Sequence, residues 1–408
     1  MYENLVNQPA GKLLSGDIRH NKLPGAILFA GPEASGKLSA ALETARILSC
    51  HENPQGKWTC QCPSCLQHKA LVPSNLMLLG PRDCSLEISA AAKTFLDAHF
   101  INAKYIEAAR YLFLRSVRKL TLRFSGLLWE GDSNLNKIGS LMEEINENLE
   151  QLDFPRELPS AGEVKKITEE LIKQAVKLEN DFLYDSIPVN QIRNMEAWAH
   201  VKSEEGRKTV IIENADRMQT SVRNALLKIL EEPPQDVVFI LLTSKRNAIM
   251  QTILSRVRTY NFLERNLDQQ KEVIERVFHN DAFAGNINEY LLTYLPVSPS
   301  ELKAQARIFY NSVASKQICN IDEIVKKCEK FYPRIELRLF LSDLALFMKP
   351  MLNSQAGAEA SYKAMQLFRK CSDNITLYNQ TPTSALEILL RDMFALNNSF
   401  GGIFCEAM

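Results

Sequence analysis

The chain has 408 residues, of which 46% are hydrophobic and 24% charged, and its 48 basic and 48 acidic residues cancel to a formal net charge of zero. This length and composition predict about two or three globular domains with packed cores, and they exclude a disordered chain, a collagen-like fibre and a small disulfide scaffold. The neutral balance also argues against a chain-wide electrostatic attraction to nucleic acid or to an anionic membrane.

The sequence has no pattern typical of a membrane or export segment. No run approaches about 18 uninterrupted apolar residues, the length of a transmembrane helix. The N-terminus, Met1-Tyr-Glu-Asn-Leu5, lacks the basic and then apolar order of a secretory signal. We therefore expect a cytoplasmic protein.

The first elements along the chain predict a phosphate-binding loop. Gly25–Ala30 is a short apolar run typical of a buried strand, and Leu38–Leu48 has a helical pattern. Between them stands Gly31-Pro-Glu-Ala-Ser-Gly36-Lys37, in the strand, loop and helix order that such loops require. Its backbone N–H groups and its lysine could hold phosphate. The candidate nucleotide-binding residues are Gly31, Ser35, Gly36 and Lys37.

The loop lacks the residue that normally binds the metal ion. The motif calls for Ser or Thr after the lysine, because that hydroxyl ligates Mg²⁺, and this chain has Leu38. Ser39 is adjacent, but one residue along a helix turns a side chain by about 100°. The loop is thus either retained only for its fold or still binds ATP or ADP.

Four of the nine cysteines form a cluster in the sequence: Cys50, Cys60, Cys62 and Cys65. Four thiolates match a tetrahedral structural zinc site, and the last two have the spacing of a metal knuckle. His51 and His68 could each replace one thiolate. We expect a structural zinc module at 50–68, with a redox pair as the alternative interpretation.

Residues 85–185 have the composition of a helical insertion. Their pattern predicts about three helices, at roughly 88–125, 134–152 and 160–184. Within 104–123 there are six basic residues and one acidic residue. The two interpretations are a solvated insertion whose charged faces pair locally, and a surface for nucleic acid or a partner protein.

The α/β pattern returns at about residue 187. Thr209–Ile212 and Val237–Leu242 predict buried strands, and Ser221–Glu232 predicts a helix that ends at Pro233-Pro234. Strands that alternate with helices indicate a parallel sheet covered on both faces. From about residue 265 onward only helical patterns occur.

The strand Thr209–Ile212 is not followed by the acidic pair of a hydrolase. A hydrolytic phosphate-loop enzyme places a carboxylate for the metal here, together with a group that activates water. In this chain Glu213 holds the first position and Asn214 the second, and an amide cannot accept a proton. Together with Leu38, this predicts little or no ATP hydrolysis by the chain alone.

Five segments in this order make the chain resemble the clamp-loader subunits of bacterial DNA polymerase III, within the AAA+ superfamily. They are Gly31–Lys37, the four-cysteine insertion after its helix, Ile187–Arg193, the stretch from Ile212–Met218 to Asn224–Pro234, and Thr252–Val257. The resemblance covers 1–80 and 187–262, is only architectural for 263–408 and is absent for about 85–185.

The resemblance implies a three-part architecture. An α/β AAA+ P-loop domain, a parallel sheet flanked by helices, is implied for 1–262, with the zinc module at 50–68 and the long helical insertion at about 85–185. A helical lid at 263–300 and an all-α C-terminal collar at 301–408 complete the chain.

The resemblance also implies a role in DNA replication. Leu38 and Glu213-Asn214 depart from the active ATPase members, so it favours the non-catalytic stator type, which helps to load the sliding clamp onto primer–template DNA. Arg256, in Ser255-Arg-Val257, is then an arginine finger that acts in trans on the nucleotide of a neighbouring ATPase subunit. The implied partners are the gamma/tau ATPase and delta subunits, with the clamp and the DNA reached through the complex.

Two other functions are compatible with the sequence. One is an active gamma/tau-type ATPase subunit of the same loader, with Mg²⁺ held through water. The other is a DNA-binding adaptor on an inactive AAA+ core, with the 104–123 helix as its basic face.

Overall fold

The chain is described by a computed structural model that covers residues 1–52, 55–202, 206–328, 335–376, 378 and 380–406. It divides into two compact units, Met1–Leu291 and Leu292–Met408. Within the described ranges, none of the helices combines the length and the apolar character needed to cross a membrane.

The first unit is built on a five-stranded parallel sheet, which confirms the α/β prediction. Its strands are β1 (Ala26–Ala30), β2 (Leu76–Leu79), β3 (Lys208–Ile212), β4 (Val237–Thr243) and β5 (Arg258–Asn261), in the spatial order β2-β3-β4-β1-β5. Strands β1 to β4 are buried along their whole length, as expected of a parallel sheet covered on both faces. The edge strand β5 has only one buried residue, and the sequence patterns did not predict it.

The unit also contains helices, several of which cover the two faces of the sheet. They are α1 (Ala10–Arg19), α2 (Lys37–Leu48), α3 (Pro63–Ala70), α4 (Ser85–Phe100), α5 (Ile106–Thr121), α6 (Leu135–Gln151), α7 (Ala161–Phe182), α8 (Val189–His200), α9 (Thr220–Glu231), α10 (Gln251–Leu254), α11 (Leu267–Phe278) and α12 (Ile287–Leu292). The last of these ends at the boundary between the two units.

The segment 85–185 contains four helices, α4 to α7, where the pattern predicted three. The predicted helix 88–125 is in fact two helices, because the chain turns at residues 101–105, where Asn102 adopts the left-handed φ of 48° that asparagine tolerates. Phe95 and Phe113 from these helices share one buried core with Leu28 of the sheet. The segment is therefore an integral layer of the α/β unit and not a solvated appendage.

The two faces of the sheet have separate cores. Leu28 of β1 faces the core that the helices α4 to α7 help to build. Ile27 and Phe29 of the same strand belong to the other core, together with side chains of α1 and α2. Since successive residues of a strand point to opposite faces, β1 is anchored from both sides. This anchoring fixes the start of the loop that follows β1.

In the second unit, the described elements are helices, in agreement with the helical patterns of the sequence. They are α13 (Pro299–Ser315), α14 (Ile321–Lys327), α15 (Glu336–Phe347), α16 (Gln355–Thr376) and α17 (Pro382–Ser399). Aromatic packing stabilises the unit: the rings of Phe309 and Phe340 meet edge to face, with centroids 5.7 Å apart.

Candidate nucleotide site and metal centre

The glycine-rich loop lies at the carboxyl end of β1 and leads directly into α2. Gly36 has a φ of 89° and Ala34 a φ of 56°, so two backbone units are left-handed within the turn. Gly31 is required by space, because an added Cβ would lie 2.3 Å from the carbonyl oxygen of Phe262. The strand, loop and helix context that the sequence predicted for Gly31–Lys37 is therefore present.

Lys37 folds back onto its own loop. Its Nζ donates to the carbonyl oxygen of Gly31 at 2.7 Å, to the carbonyl oxygen of Pro32, and to the hydroxyl of Ser35 at 3.3 Å. Burial is the largest influence on this ammonium and lowers the pKa of Lys37 to about 8. The ammonium of Lys37 is thus hydrogen-bonded to oxygen atoms of its own loop.

Arg265, which follows β5, braces the same loop from the outside. Its Nη1 donates to the carbonyl oxygen of Ala34 at 2.6 Å, and its Nε and Nη2 donate to the carbonyl oxygen of Val6 at 3.2 and 2.9 Å. The sequence analysis did not find this residue. Its partners lie more than 200 positions away in the chain, and no local motif marks it.

Leu38 is a core residue and offers nothing to the loop. Its side chain is 5% exposed and packs in the core that α1 and α2 share with one face of the sheet. A hydroxyl at this position would enter an apolar environment. The structure thus places the leucine where it stabilises the fold, and it gives a phosphate-bound metal no oxygen ligand.

Glu213 is neutralised by two arginines. Arg82 donates Nη1 to its Oε1 at 3.1 Å, and Arg123 donates Nη2 to its Oε2. The carboxylate is buried, at 5% exposure. Arg123 belongs to the short 3-10 turn that follows α5. The helical segment therefore contributes a side chain at the carboxyl end of β3. Both carboxylate oxygens are therefore already engaged by cations of the chain itself.

Asn214 has a structural role beside this carboxylate. It adopts the left-handed conformation, with φ 50° and ψ 46°, and its side-chain amide donates to the carbonyl oxygen of Pro81. A carboxylate could not make this bond, because an ionised acid only accepts. Nearby, Asp216 accepts a hydrogen bond of 2.6 Å from the hydroxyl of Thr243 and so links the ends of β3 and β4.

Arg256 lies just before the amino end of β5, whereas the glycine-rich loop lies at the carboxyl end of the neighbouring strand β1. It follows α10 and precedes β5, whose first residue Arg258 pairs with Ile27. Ile27 stands four residues before Gly31, which is about 13 Å along a strand. The guanidinium donates Nη2 to Glu231 at 3.0 Å and Nη1 to the carbonyl oxygen of Thr252 at 2.8 Å. Its side chain is 27% exposed, so it is accessible from outside the chain.

Five of the six basic side chains in 104–123 are used inside the fold. Arg110 donates to the carbonyl oxygens of Leu152, Asp153 and Arg156; Arg115 to those of His68 and Lys69; Arg118 to that of Ala70 and to the carboxylate of Asp153; Lys119 to Glu87; and Arg123 to Glu213. Arg115, Arg118 and Tyr111 bind carbonyl oxygens at the carboxyl end of α3. Positive charge is stabilising there, because the carbonyl dipoles of a helix point toward that end. The basic face suggested for a DNA-binding adaptor is thus largely consumed by internal contacts.

The four clustered cysteines come together in space. Their sulfur atoms all lie within 4.8 Å of one another, and each residue is buried. The Sγ atoms of Cys50 and Cys60 are 3.7 Å apart, which is too long for a disulfide. Two thiolates on a tetrahedral zinc with bonds of about 2.3 Å would lie about 3.8 Å apart. Donor set and spacing therefore fit a tetrahedral metal ion.

Neither histidine near the cluster joins it. The group of four sulfur ligands is complete without His51, which is exposed, and without His68, which is buried in α3. Burial lowers the pKa of His68 to about 4, so the ring is neutral at neutral pH. Of the ligand sets that the sequence allowed, the structure assembles the four cysteines.

Comparison with known proteins identifies the family. The model of the family described as "DNA polymerase III, delta subunit" matches residues 6–125 and 133–266. These ranges include most of the helical segment, so the expectation that the family resemblance is absent for about 85–185 is wrong.

Individual relatives match shorter stretches. The DNA polymerase III subunit delta' of Bacillus subtilis is 34% identical over 24% of this chain and 29% of its own length. The delta' subunit of Haemophilus influenzae is 31% identical over 26% of this chain and 35% of its own length. The gamma/tau subunit of Mycobacterium tuberculosis is 36% identical over 18% and 12%, respectively. The matches thus span about a third or less of each relative.

Among solved structures, a DNA polymerase III gamma subunit-related protein from Thermotoga maritima covers 56% of this chain and 90% of its own. Its identity is 16% and its TM-score 0.27. The match of the family model extends over more than half of the chain. The chain therefore belongs to the DNA polymerase III delta-subunit family.

Proposed function

We propose that this chain is a non-catalytic, delta-prime-type stator subunit of a DNA polymerase III clamp loader, which helps to load the sliding clamp onto primer–template DNA. The observation that carries the proposal is the engagement of Glu213 by Arg82 and Arg123. Those bonds occupy the carboxylate that a hydrolytic site would offer to its metal ion. Family membership supports the assignment to the polymerase III assembly, with gamma/tau and delta subunits as partners.

The chain hydrolyses no ATP of its own in this proposal. Leu38 supplies no metal ligand, and the amide of Asn214 is committed to the carbonyl oxygen of Pro81. The loop residues Gly31, Ser35, Gly36 and Lys37 form a degenerate site that is retained for its fold. Turnover by the isolated chain that is lost in Lys37→Ala would instead establish the alternative, an active gamma/tau-type ATPase.

Arg256 is proposed as an arginine finger for a neighbouring ATPase subunit. It lies away from the glycine-rich loop of its own chain, and its ion pair with Glu231 is partly exposed. An exposed pair of this kind contributes about 0–1 kcal/mol, so the guanidinium can exchange Glu231 for a phosphate at small cost. A guanidinium near a transferring phosphoryl group stabilises the charge of the transition state.

The remaining assignments concern architecture and metal. Residues 263–300 are proposed as a helical lid and 301–408 as a collar that joins the subunits. Cys50, Cys60, Cys62 and Cys65 are proposed to hold a structural zinc ion, since four protein ligands leave no open position for a substrate. The zinc would join Cys50, which follows α2, to Cys65 in α3. Its proposed role is structural and not catalytic.

Reconstitution tests the proposed function. A loader assembled from its ATPase subunits and delta should place clamps on primed DNA efficiently only when this chain is added. The isolated chain should show no ATP turnover. Clamp loading that is the same with and without the chain would contradict the stator role. Strongly salt-dependent binding of DNA by the isolated chain would favour the adaptor alternative.

A further inference from the structure

A buried arginine lies directly beside the four cysteines. Arg46, near the end of α2, is 2% exposed, and its Nη1 is 3.1 Å from the Sγ of Cys65. Its other bonds go to both carboxylate oxygens of Glu43 at 2.9 and 2.6 Å, and to the carbonyl oxygens of Gly56 at 2.9 Å and Lys57 at 3.1 Å. A guanidinium has five N–H donors, and here each has an acceptor. One of the five is the sulfur of a metal-ligating cysteine.

The charge of the centre explains why a cation should stand there. One zinc ion and four thiolates carry a net charge of −2, and all four cysteines are buried. Buried charge is costly unless it is paired or hydrogen-bonded. We propose that Arg46 is an outer-sphere positioning residue of the metal centre, which holds Cys65 in its ligating orientation and stabilises its thiolate. The proposal rests on the zinc site proposed above.

The surroundings of Arg46 limit how far it can move. Its Cζ lies 5.4 Å from the centroid of the Trp58 ring, and the Nζ of Lys69 lies 5.2 Å from the same ring. Lys69 also donates to the carbonyl oxygen of Cys60 at 2.7 Å. The indole therefore stands close to two cations that each contact the cysteine module. Such packing keeps the guanidinium aimed at the sulfur.

Arg46 has a second role that the test must separate from the first. It also binds the carbonyl oxygens of Gly56 and Lys57, which lie between Cys50 and Cys60 in the chain, and so holds this part of the backbone. A purely loop-holding arginine would affect the stability of the module but not the electronic state of a sulfur. A hydrogen bond to a thiolate lowers its power to donate electrons to the metal, so the sulfur-to-metal charge-transfer energy reports the contact directly.

The experiment compares Arg46→Met, Arg46→Lys and Glu43→Gln in the full chain. Zinc affinity is measured by competition with a chelator, and the charge-transfer band is recorded after substitution with Co²⁺. Removing outer-sphere partners typically weakens metal binding about 10–100-fold. We expect a weakening of that size in Arg46→Met, with the band moved to longer wavelength. Glu43→Gln does not alter Nη1 or the Sγ of Cys65, although the amide oxygen can accept only one of the two bonds that the carboxylate accepts. We therefore expect the band to stay in place and the zinc affinity to fall less than in Arg46→Met.

Arg46→Lys covers the case in which the methionine variant does not fold. Its single ammonium cannot serve Glu43 and Cys65 with the geometry of the guanidinium fork, so the band should move in the same direction. An unchanged band in the folded Arg46 variants would overturn the proposal, as would equal losses of affinity in the Arg46 and Glu43 variants. Wild-type protein that binds neither Zn²⁺ nor Co²⁺ would instead refute the metal centre itself.

Discussion

Arg123 donates a hydrogen bond to the carboxylate of Glu213, although 90 positions separate the two residues in the chain. The contact joins the helical segment between β2 and β3 to the carboxyl end of β3. Other basic residues of that segment have the same kind of role. They bind acidic groups and carbonyl oxygens of the same chain, and Arg123 occupies the carboxylate that an ATPase would use for its metal.

Replacing Arg123 should therefore destabilise the fold strongly. Arg123→Met leaves the buried Glu213 with only one of its two cations, and breaking a buried pair costs about 3–5 kcal/mol. Urea denaturation of the full chain measures the loss. The double variant Arg123→Met with Glu213→Gln should recover much of it, because the uncompensated charge is gone. A double variant as unstable as the single one would show that the charge pairing is not the cause.

Acid stability should depend on Glu87. Burial alone would raise the pKa of this carboxyl, but Lys119 and Arg82 outweigh it and hold the pKa at about 2, below its ordinary 4.5. A depressed pKa stabilises the fold above the unfolded value, and the contribution is lost as pH falls from about 4.5 to about 2. Glu87→Gln should thus be less stable at pH 7, and its stability should fall less steeply over this interval. Equal slopes in urea midpoints between pH 5 and 2 would contradict this linkage.

Metal removal should unfold the cysteine module. We expect one zinc ion per chain by elemental analysis, none in Cys60→Ser, and a lower melting temperature after chelation, because structural zinc contributes directly to folding. Cys405→Ser is the matched control, since that thiol is exposed and lies outside the cluster. Full zinc content in Cys60→Ser would remove this cysteine from the ligand set.

Restoring the missing hydroxyl alone should not create an ATPase. Leu38→Thr supplies the metal ligand that the loop motif calls for, but Glu213 stays bound to its arginines and Asn214 to Pro81. The substitution also puts a polar group into an apolar core, at a cost of about 1–3 kcal/mol. ATP turnover by purified Leu38→Thr should stay at the background of Lys37→Ala. Mg²⁺-dependent turnover would mean that Glu213 can release its arginines and bind metal.

The parts of the site that sequence could predict are those encoded by local spacing. The loop Gly31–Lys37 lies between a strand and a helix as its glycines and apolar flanks predict, and the four cysteines converge as their spacing predicts. Apolar runs also locate β1, β3 and β4, because a buried parallel strand is nearly continuous in hydrophobicity.

The parts that sequence could not predict depend on distant contacts. The bonds of Arg123 to Glu213 and of Arg265 to Ala34 join residues 90 and 231 positions apart. No periodicity encodes such pairs, since it records only which face of an element is buried. The turn at Asn102 was missed for a related reason: helix-forming residues continue on both sides of it, and no glycine or proline marks the break.

The central claim is that this chain contributes chemistry to a neighbour and not to itself. The most direct test is the ATPase rate of a reconstituted loader in which only this chain carries Arg256→Ala or Lys37→Ala, with Glu231→Ala as the control that removes the ion pair but keeps the arginine. An arginine finger contributes about 10³-fold or more at its site. Clamp- and DNA-stimulated turnover should therefore fall in Arg256→Ala by the share of one ATPase site, and stay unchanged in Lys37→Ala and Glu231→Ala. A loss of turnover in Lys37→Ala with none in Arg256→Ala would contradict the claim, because the chain would then hydrolyse ATP itself.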